Sequence, residues 1–298
     1  MYGMALKVKI SHYPICHSLF VKNAYKRHMK VLWGLLFVNN QNTAKSIDSY
    51  LNQLQKINSY LSFNHIDIII DQSGLEESLV PLLSKLDDNL VWASLFESFP
   101  EEGLLEQAPL LVRIQWNEQT HRLLLNEILE YLYGKPRTLF IYSELHFDEL
   151  FNRLQSQLEI TWGKQNCLLR FYDPRIFPEL MSHILTLEQR QTFYEIAYMW
   201  GWLNRDQKIS WLPGLFKPNA TISQSSMIEL DDKQFNMLDG ISDVTRLMSM
   251  KKFHRPELTQ EQNFSVLYQL TLQFIDSDYL GDLNSYILQQ QSTTSFIE

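Results

Sequence analysis

The chain has 298 residues, 45% hydrophobic and 20% charged, which excludes wholesale disorder, a collagen, a coiled coil and a disulfide scaffold. At roughly 150 residues per domain it is long enough for about two domains and a sizeable core. A net charge of −8 and a pI near 5.5 argue against a protein that tracks nucleic-acid phosphates, because that task wants a basic face.

The charge is uneven. Seven Lys/Arg (Lys7, Lys9, Lys22, Lys26, Arg27, Lys30, Lys45) and no Asp or Glu fall between Met1 and Ile47, so the remainder carries 19 basic against 34 acidic residues, a net of −15. A basic arm ahead of an acidic body suits an acidic partner or a lipid surface, or is simply an untethered terminus. Cys16 and Cys167 are too few for a framework and point to a reducing compartment. The apolar run Val31 to Val38 is too short to span a bilayer, which takes roughly 20 residues, and reads as a buried strand. The protein is expected to be soluble and cytoplasmic.

Along the chain, Ile47, Leu51, Leu54, Ile57 and Leu61 are three to four apart and predict a helix. Ile66 to Asp71 (IDIIID) reads as a buried strand closed by a Gln-Ser-Gly turn. Leu75 to Leu86 reads as a helix broken by Asp87, Asp88 and Asn89, and Leu90 to Phe96 as a strand. Pro109 opens another strand, LLVRIQW. Residues 118–132 form an amphipathic helix stopped by Gly134 and then Pro136. A strand over Thr138 to Tyr142, a helix over Phe147 to Leu158 and a strand over Cys167 to Tyr172 follow. This alternation predicts an α/β lobe, a mostly parallel or mixed sheet with flanking helices. Thr186 with Gln189 and Thr259 with Gln262 have the spacing of capping boxes. Residues 213–228, polar and holding Pro, Gly and Ser, read as a linker. Helices are expected over Asp231 to Phe253, from Thr259 to about Ile275, and after Gly281 to about Leu288, so the last third is a small all-helical lobe. The organisation is then 1–61, a basic arm plus helix; 62–212, the α/β domain; 213–228, the linker; and 229–298, the helical lobe.

No two glycines lie closer than 13 residues (Gly201 and Gly214), which excludes the dinucleotide-binding fingerprint, the Walker loop and the nucleophile elbow. No HExxH or CxxC is present, and His12, Cys16, His17 and His28 match no zinc spacing, so neither a metal nor a cofactor is expected. Asp71 ends its strand where α/β enzymes place a catalytic carboxylate, but it equally suits a turn. Glu101 and Glu102 suit a solvated loop, and His121 and His146 suit a polar helix face or a helix start.

The dense polar motif is Arg170-Phe171-Tyr172-Asp173-Pro174-Arg175. Read as a strand, it turns Leu169 and Phe171 one way and Arg170 and Tyr172 the other. Asp173 then Pro174 suits a helix cap and first position. Two arginines bracketing one carboxylate make either an ion-pair knot at the sheet-to-helix corner or a grip on a partner's carboxylate or carbonyls. Trp200, Trp202 and Trp211 lie in a stretch without clear period and are candidates for exposure as interface anchors.

These residues resemble the DUF4123 family, the adaptor chaperones of bacterial type VI secretion. The parts appear in the family's order: IDIIID (66–71), WASLFES (92–98), APLLVRI (108–114), LLRFYDPRIF (168–177) and LTLEQRQTFY (185–194), covering about residues 62–205. The resemblance implies a non-enzymatic adaptor that binds a toxic effector, often by its N-terminal region, and helps to load it on the spike protein VgrG. On that footing Arg170, Tyr172, Asp173, Arg175, Trp200, Trp202 and Trp211 bind the partner or shape the lobe that faces it. The alternatives are an immunity protein that neutralises a toxin, and a hydrolase using Asp71 with a nearby His.

Overall fold

The computed structural model describes residues 47–86, 89–217 and 227–294, all within one compact unit, Lys45–Glu298. The basic arm, its apolar run and the His12/Cys16/His17/His28 group lie outside the described residues, as does most of the expected linker.

The first element is α1 (Ile47–Leu61), which buries Tyr50, Leu54, Ile57 and Asn58 along one stripe. Then come β1 (His65–Asp71), α2 (Val80–Leu86), β2 (Val91–Ser94), a 3-10 helix at Pro100–Gln107 that takes up Glu101 and Glu102, and β3 (Pro109–Gln115). Helix α3 (Gln119–Tyr131) runs into a turn in which Gly134 adopts φ +77°, the left-handed conformation that keeps the helix from continuing. Strand β4 (Thr138–Tyr142), α4 (Phe147–Gln155) and the hairpin β5 (Glu159–Trp162) and β6 (Gln165–Leu168) follow. A helical turn α5 (Phe177–Glu179) runs into a π-helical turn (Leu180–Ile184), then α6 (Leu187–Tyr194). The aromatic stretch is a second hairpin, β7 (Met199–Leu203) and β8 (Ile209–Pro213). Strand β9 (Ile228–Leu230), α7 (Asp232–Met248), a 3-10 turn (Lys251–Phe253), α8 (Gln260–Ile275) and α9 (Leu283–Thr294) complete the described chain.

The expected α/β portion followed by helices is present, but the strand directions differ from the expectation. The six-stranded sheet has the order β2-β3-β1-β4-β7-β8, and each of its pairings is antiparallel. Among the described residues the one parallel pairing, β5 with β9, belongs to the small sheet β6-β5-β9. Alternation of strand and helix in sequence suggested crossovers, yet β1 is flanked by β3 and β4 running the other way, so the intervening helices return the chain without the parallel repeat of a βαβ unit.

Both faces of the large sheet are covered, which is why IDIIID is nearly continuously apolar. Ile66, Ile68 and Ile70 share one face, and the Tyr142 hydroxyl donates to Leu54 O of α1 at 2.6 Å on that side. Ile69 on the other face joins Leu111, Leu139, Ile141, Trp200 and Trp202 in a core that continues through Leu150, Phe171, Phe177 and Phe193 to Val244, Leu267 and Ile287 of the last helices. The α/β portion and the C-terminal helices therefore share one apolar core.

Several predicted boundaries move, and three are instructive. Helix α2 starts at Val80, not Leu75, because Pro81 fits only a first turn: further in, its ring would strike the carbonyl four residues back. Gln72 Oε1 accepts from Leu79 N at 2.7 Å and Ser78 Oγ at 3.0 Å in place of an upstream turn. Strand β6 stops at Leu168, since its partner β5 begins at Glu159 and only Leu169 N reaches back, to Leu158 O at 2.7 Å. Helix α9 extends to Thr294, past the expected end near Leu288. Both predicted capping boxes form, at Thr186/Gln189 and Thr259/Gln262, and Asp231/Gln234 makes a third.

Candidate functional site

The motif 170–175 lies in a turn beyond β6, not in a strand. Asp173 N donates to Arg170 O at 3.1 Å, and Ile176 N and Phe177 N donate to Asp173 O at 2.9 Å. The predicted alternation of faces therefore fails, and Leu169, Phe171 and Tyr172 are all buried. Asp173 Oδ1 accepts from Arg175 N at 2.9 Å, the side-chain turn that an Asp-Pro pair favours.

This turn meets the C-terminal end of β1 in a ladder of five charges. Asp71 Oδ2 accepts from Arg137 Nη1 at 2.7 Å and Arg170 Nη2 at 2.8 Å, and its Oδ1 from Ser73 N at 3.0 Å. Arg170 Nη2 lies 3.7 Å from Asp173 Oδ2. Arg175 grips Asp173 with two prongs, Nε to Oδ1 at 2.9 Å and Nη2 to Oδ2 at 2.6 Å. The two carboxylates are enclosed, and the arginines close the cluster from outside, with side chains 19% (Arg137), 39% (Arg170) and 35% (Arg175) exposed. Three guanidiniums against two carboxylates leave a formal charge of +1. The bidentate bond to Asp173 raises the Arg175 pKa, and burial pushes the Tyr172 phenol well above its ordinary value. Arg170 also lies over the Tyr172 ring, 5.9 Å from its centroid.

A neighbouring cluster ties this turn to the C-terminal helices. Arg205, in the β7–β8 turn, donates from Nη2 to Arg175 O at 3.3 Å and from Nη1 to Glu261 Oε1 at 3.2 Å, with its guanidinium 3.3 Å over the Phe264 ring. Asp206 Oδ1 accepts from Glu261 N at 3.3 Å, so the hairpin turn meets the first turn of α8. Beside it Glu179 is buried, and its carboxyl is pushed up to about 7; Arg205 opposes that shift and Glu261 adds to it. His183 Nε2 lies 3.7 Å from Glu179 Oε2, and burial lowers the imidazole pKa.

Among the candidate residues, Arg170, Tyr172, Asp173 and Arg175 are brought together. The tryptophans are placed elsewhere, and the expected exposure is corrected: Trp200 and Trp202 are buried against Phe177, at ring distances of 5.0 and 5.8 Å. Trp211 is partly buried, cross-strand from Gly201 and 6.1 Å from the Tyr142 ring. Period-2 alternation was hidden there because tryptophans on one face and a glycine on the other fill both sides of β7.

Asp71 has both oxygens engaged by cations and a backbone N–H. The histidine paired with a β1 carboxylate is His65, 3.6 Å from Asp67, whose main partner is Arg113, bidentate at 2.7 and 2.9 Å. His121, expected on a polar face, is buried, with Nδ1 accepting from Gln115 N at 3.1 Å. His146 stands at the start of α4 with no side-chain cap. Arg137, Glu179 and Arg205 carry no sequence signal of their own; the register Asp67↔Arg113 could have been read only with the strand pairing known. Among the described residues no group of three or more His, Cys, Asp or Glu is placed to hold a metal. No helix among them is long and apolar enough to cross a membrane.

Residues 68–192 match the family model described as Domain of unknown function (DUF4123), a span from the middle of β1 into α6 that contains the whole five-charge ladder. No curated protein and no solved structure matches the chain.

Proposed function

We propose, from the DUF4123 domain carried at residues 68–192, that this chain is a non-catalytic adaptor chaperone of type VI secretion, working in the cytoplasm. Its partners on this reading are an effector, held by the effector's N-terminal region, and the VgrG spike, with no nucleic acid and no stable membrane insertion. The observation that carries the reading is the family match over the signature 168–177. The geometry supports it in two ways. Asp71, the carboxylate that the sequence offers for proton transfer, accepts hydrogen bonds from Arg137, Arg170 and Ser73 N, so it is tied into a structural ion pair. The same anchoring holds two half-exposed arginines rigidly at the surface, and Arg is a residue type enriched at protein interfaces.

Co-purification tests the proposal. The chain, tagged at its C-terminus, is drawn from host cells that express the secretion apparatus, and its partners are identified by mass spectrometry. A large toxin and a spike protein recovered together are the expected result. Recovery of neither would overturn it.

A further inference from the structure

We infer that Arg170 and Arg175 together form a receptor for a carboxylate, supplied by an Asp or Glu side chain in an acidic segment of the protein partner. The inference rests on the adaptor reading for who that partner is, but its chemistry stands on the cluster itself.

The argument is an accounting of donors and acceptors. Each carboxylate in the ladder is well supplied with donors: Asp71 accepts three hydrogen bonds, from Ser73 N, Arg137 and Arg170, and Asp173 accepts three, all from Arg175. The arginines have more donors than these bonds use. A guanidinium carries five N–H groups; Arg170 donates from Nη2 to Asp71 and also hydrogen-bonds the Tyr172 hydroxyl, and Arg175 donates from Nε and Nη2 of its side chain to Asp173, so both keep donors to spare. Arg170 Nε is enclosed without a partner. Both side chains are more than a third exposed. The two guanidiniums converge, since both approach Asp173 Oδ2, at 3.7 and 2.6 Å. A second carboxylate on the open side can therefore meet both. The cluster's formal +1 becomes zero when it binds, whereas the body around it is acidic, so an anionic segment gains nothing from the rest of the surface. Both arginines are fixed from beneath by buried carboxylates, and Arg170 is further held over Tyr172, so little side-chain entropy remains to be lost on binding.

The test uses the full chain and fluorescein-labelled hexaglutamate, read by fluorescence anisotropy, with hexaglutamine as the neutral probe. Saturable binding of hexaglutamate, none of hexaglutamine, and a roughly 10- to 100-fold weaker affinity in Arg170→Gln and Arg175→Gln are expected, the size that loss of a charge-assisted hydrogen bond gives. Arg246→Gln, which removes an exposed arginine paired with Asp243 on α7, should leave binding unchanged. Should Arg170→Gln lose its circular dichroism spectrum, Arg170→Lys takes its place, keeping the charge but not the fork, and is expected to weaken binding as well. No saturable binding by the native chain, or equal loss in Arg246→Gln, overturns the inference. The co-purification separates the two readings: cargo retained by Arg170→Gln sinks the carboxylate receptor and leaves the adaptor standing, while peptide binding without any cargo does the reverse.

Discussion

Replacing Glu179 by Gln should stabilise the protein at mildly alkaline pH and remove a component of its pH dependence. Glu179 sits between α5 and the π-helical turn, largely out of water, and burial raises its carboxyl from 4.5 to about 7 against the attraction of Arg205. A group whose folded pKa is raised contributes stability that is fully present below the unfolded value and is lost as pH rises through the folded one. The window is therefore 4.5 to about 7, and the loss across it, at about 1.4 kcal/mol per pH unit, is about 3 kcal/mol. Glutamine keeps the shape without the charge, so about 3 kcal/mol is the ceiling on the gain at about pH 8. His183, 3.7 Å away, has a lowered pKa through burial and then Arg190, and works in the opposite direction: its contribution is present above 6.5 and lost as pH falls. The difference between variant and native chain reports Glu179 together with its coupling to His183. Urea unfolding from about pH 5 to about pH 8 measures it, with near equality at the acid end and a gap that opens as pH rises. A variant less stable than the native chain at about pH 8 would refute the reasoning, because it would mean that Arg205 holds an ionised Glu179 at a net profit.

Three other outcomes follow from the packing. Asp71→Ala strips the buried anion from between Arg137 and Arg170 and should cost about 3–5 kcal/mol in urea unfolding, so a loss under about 1 kcal/mol would show that the two arginines find water instead. Gly201→Ala would place a Cβ 2.4 Å from Trp211 Cζ3, an overpacking of about 1–3 kcal/mol visible as a lower Tm and relieved when Trp211 is also cut to Leu. Thr259→Ala opens the capping box of α8 and should lower stability by about 1 kcal/mol in the same urea assay, with the α/β core intact by near-ultraviolet circular dichroism.

Much of the local structure was legible because it depends on neighbours in sequence. The stripe of α1, the apolar run of β1, the stop at Gly134 and both capping boxes rest on side chains within four residues of one another. Where a boundary was misread, a distant partner decided it: β6 stops because β5 begins at Glu159, and no feature of CLLRFY announces that. Strand direction was illegible for the same reason, since IDIIID reads alike beside parallel or antiparallel neighbours when both faces are covered.

The candidate site divides along the same line. The motif Arg170 to Arg175 named its own short-range contacts, the Asp173 turn and the Arg175 fork, because Asp-Pro geometry and a two-residue spacing impose them. Its other half came from afar: Asp71 is 99 residues from Arg170 and 66 from Arg137. The tryptophans show the reverse error, a composition that looked like an interface and is core once β7 is placed inside the sheet. The sequence by itself thus determined the elements, the caps and the family signature, all set by local sterics and hydrogen bonding. Only the tertiary structure decided which charges are paired and which arginine donors stay open, because Coulomb attraction and burial depend on distance in space, and the chain's order does not carry that distance.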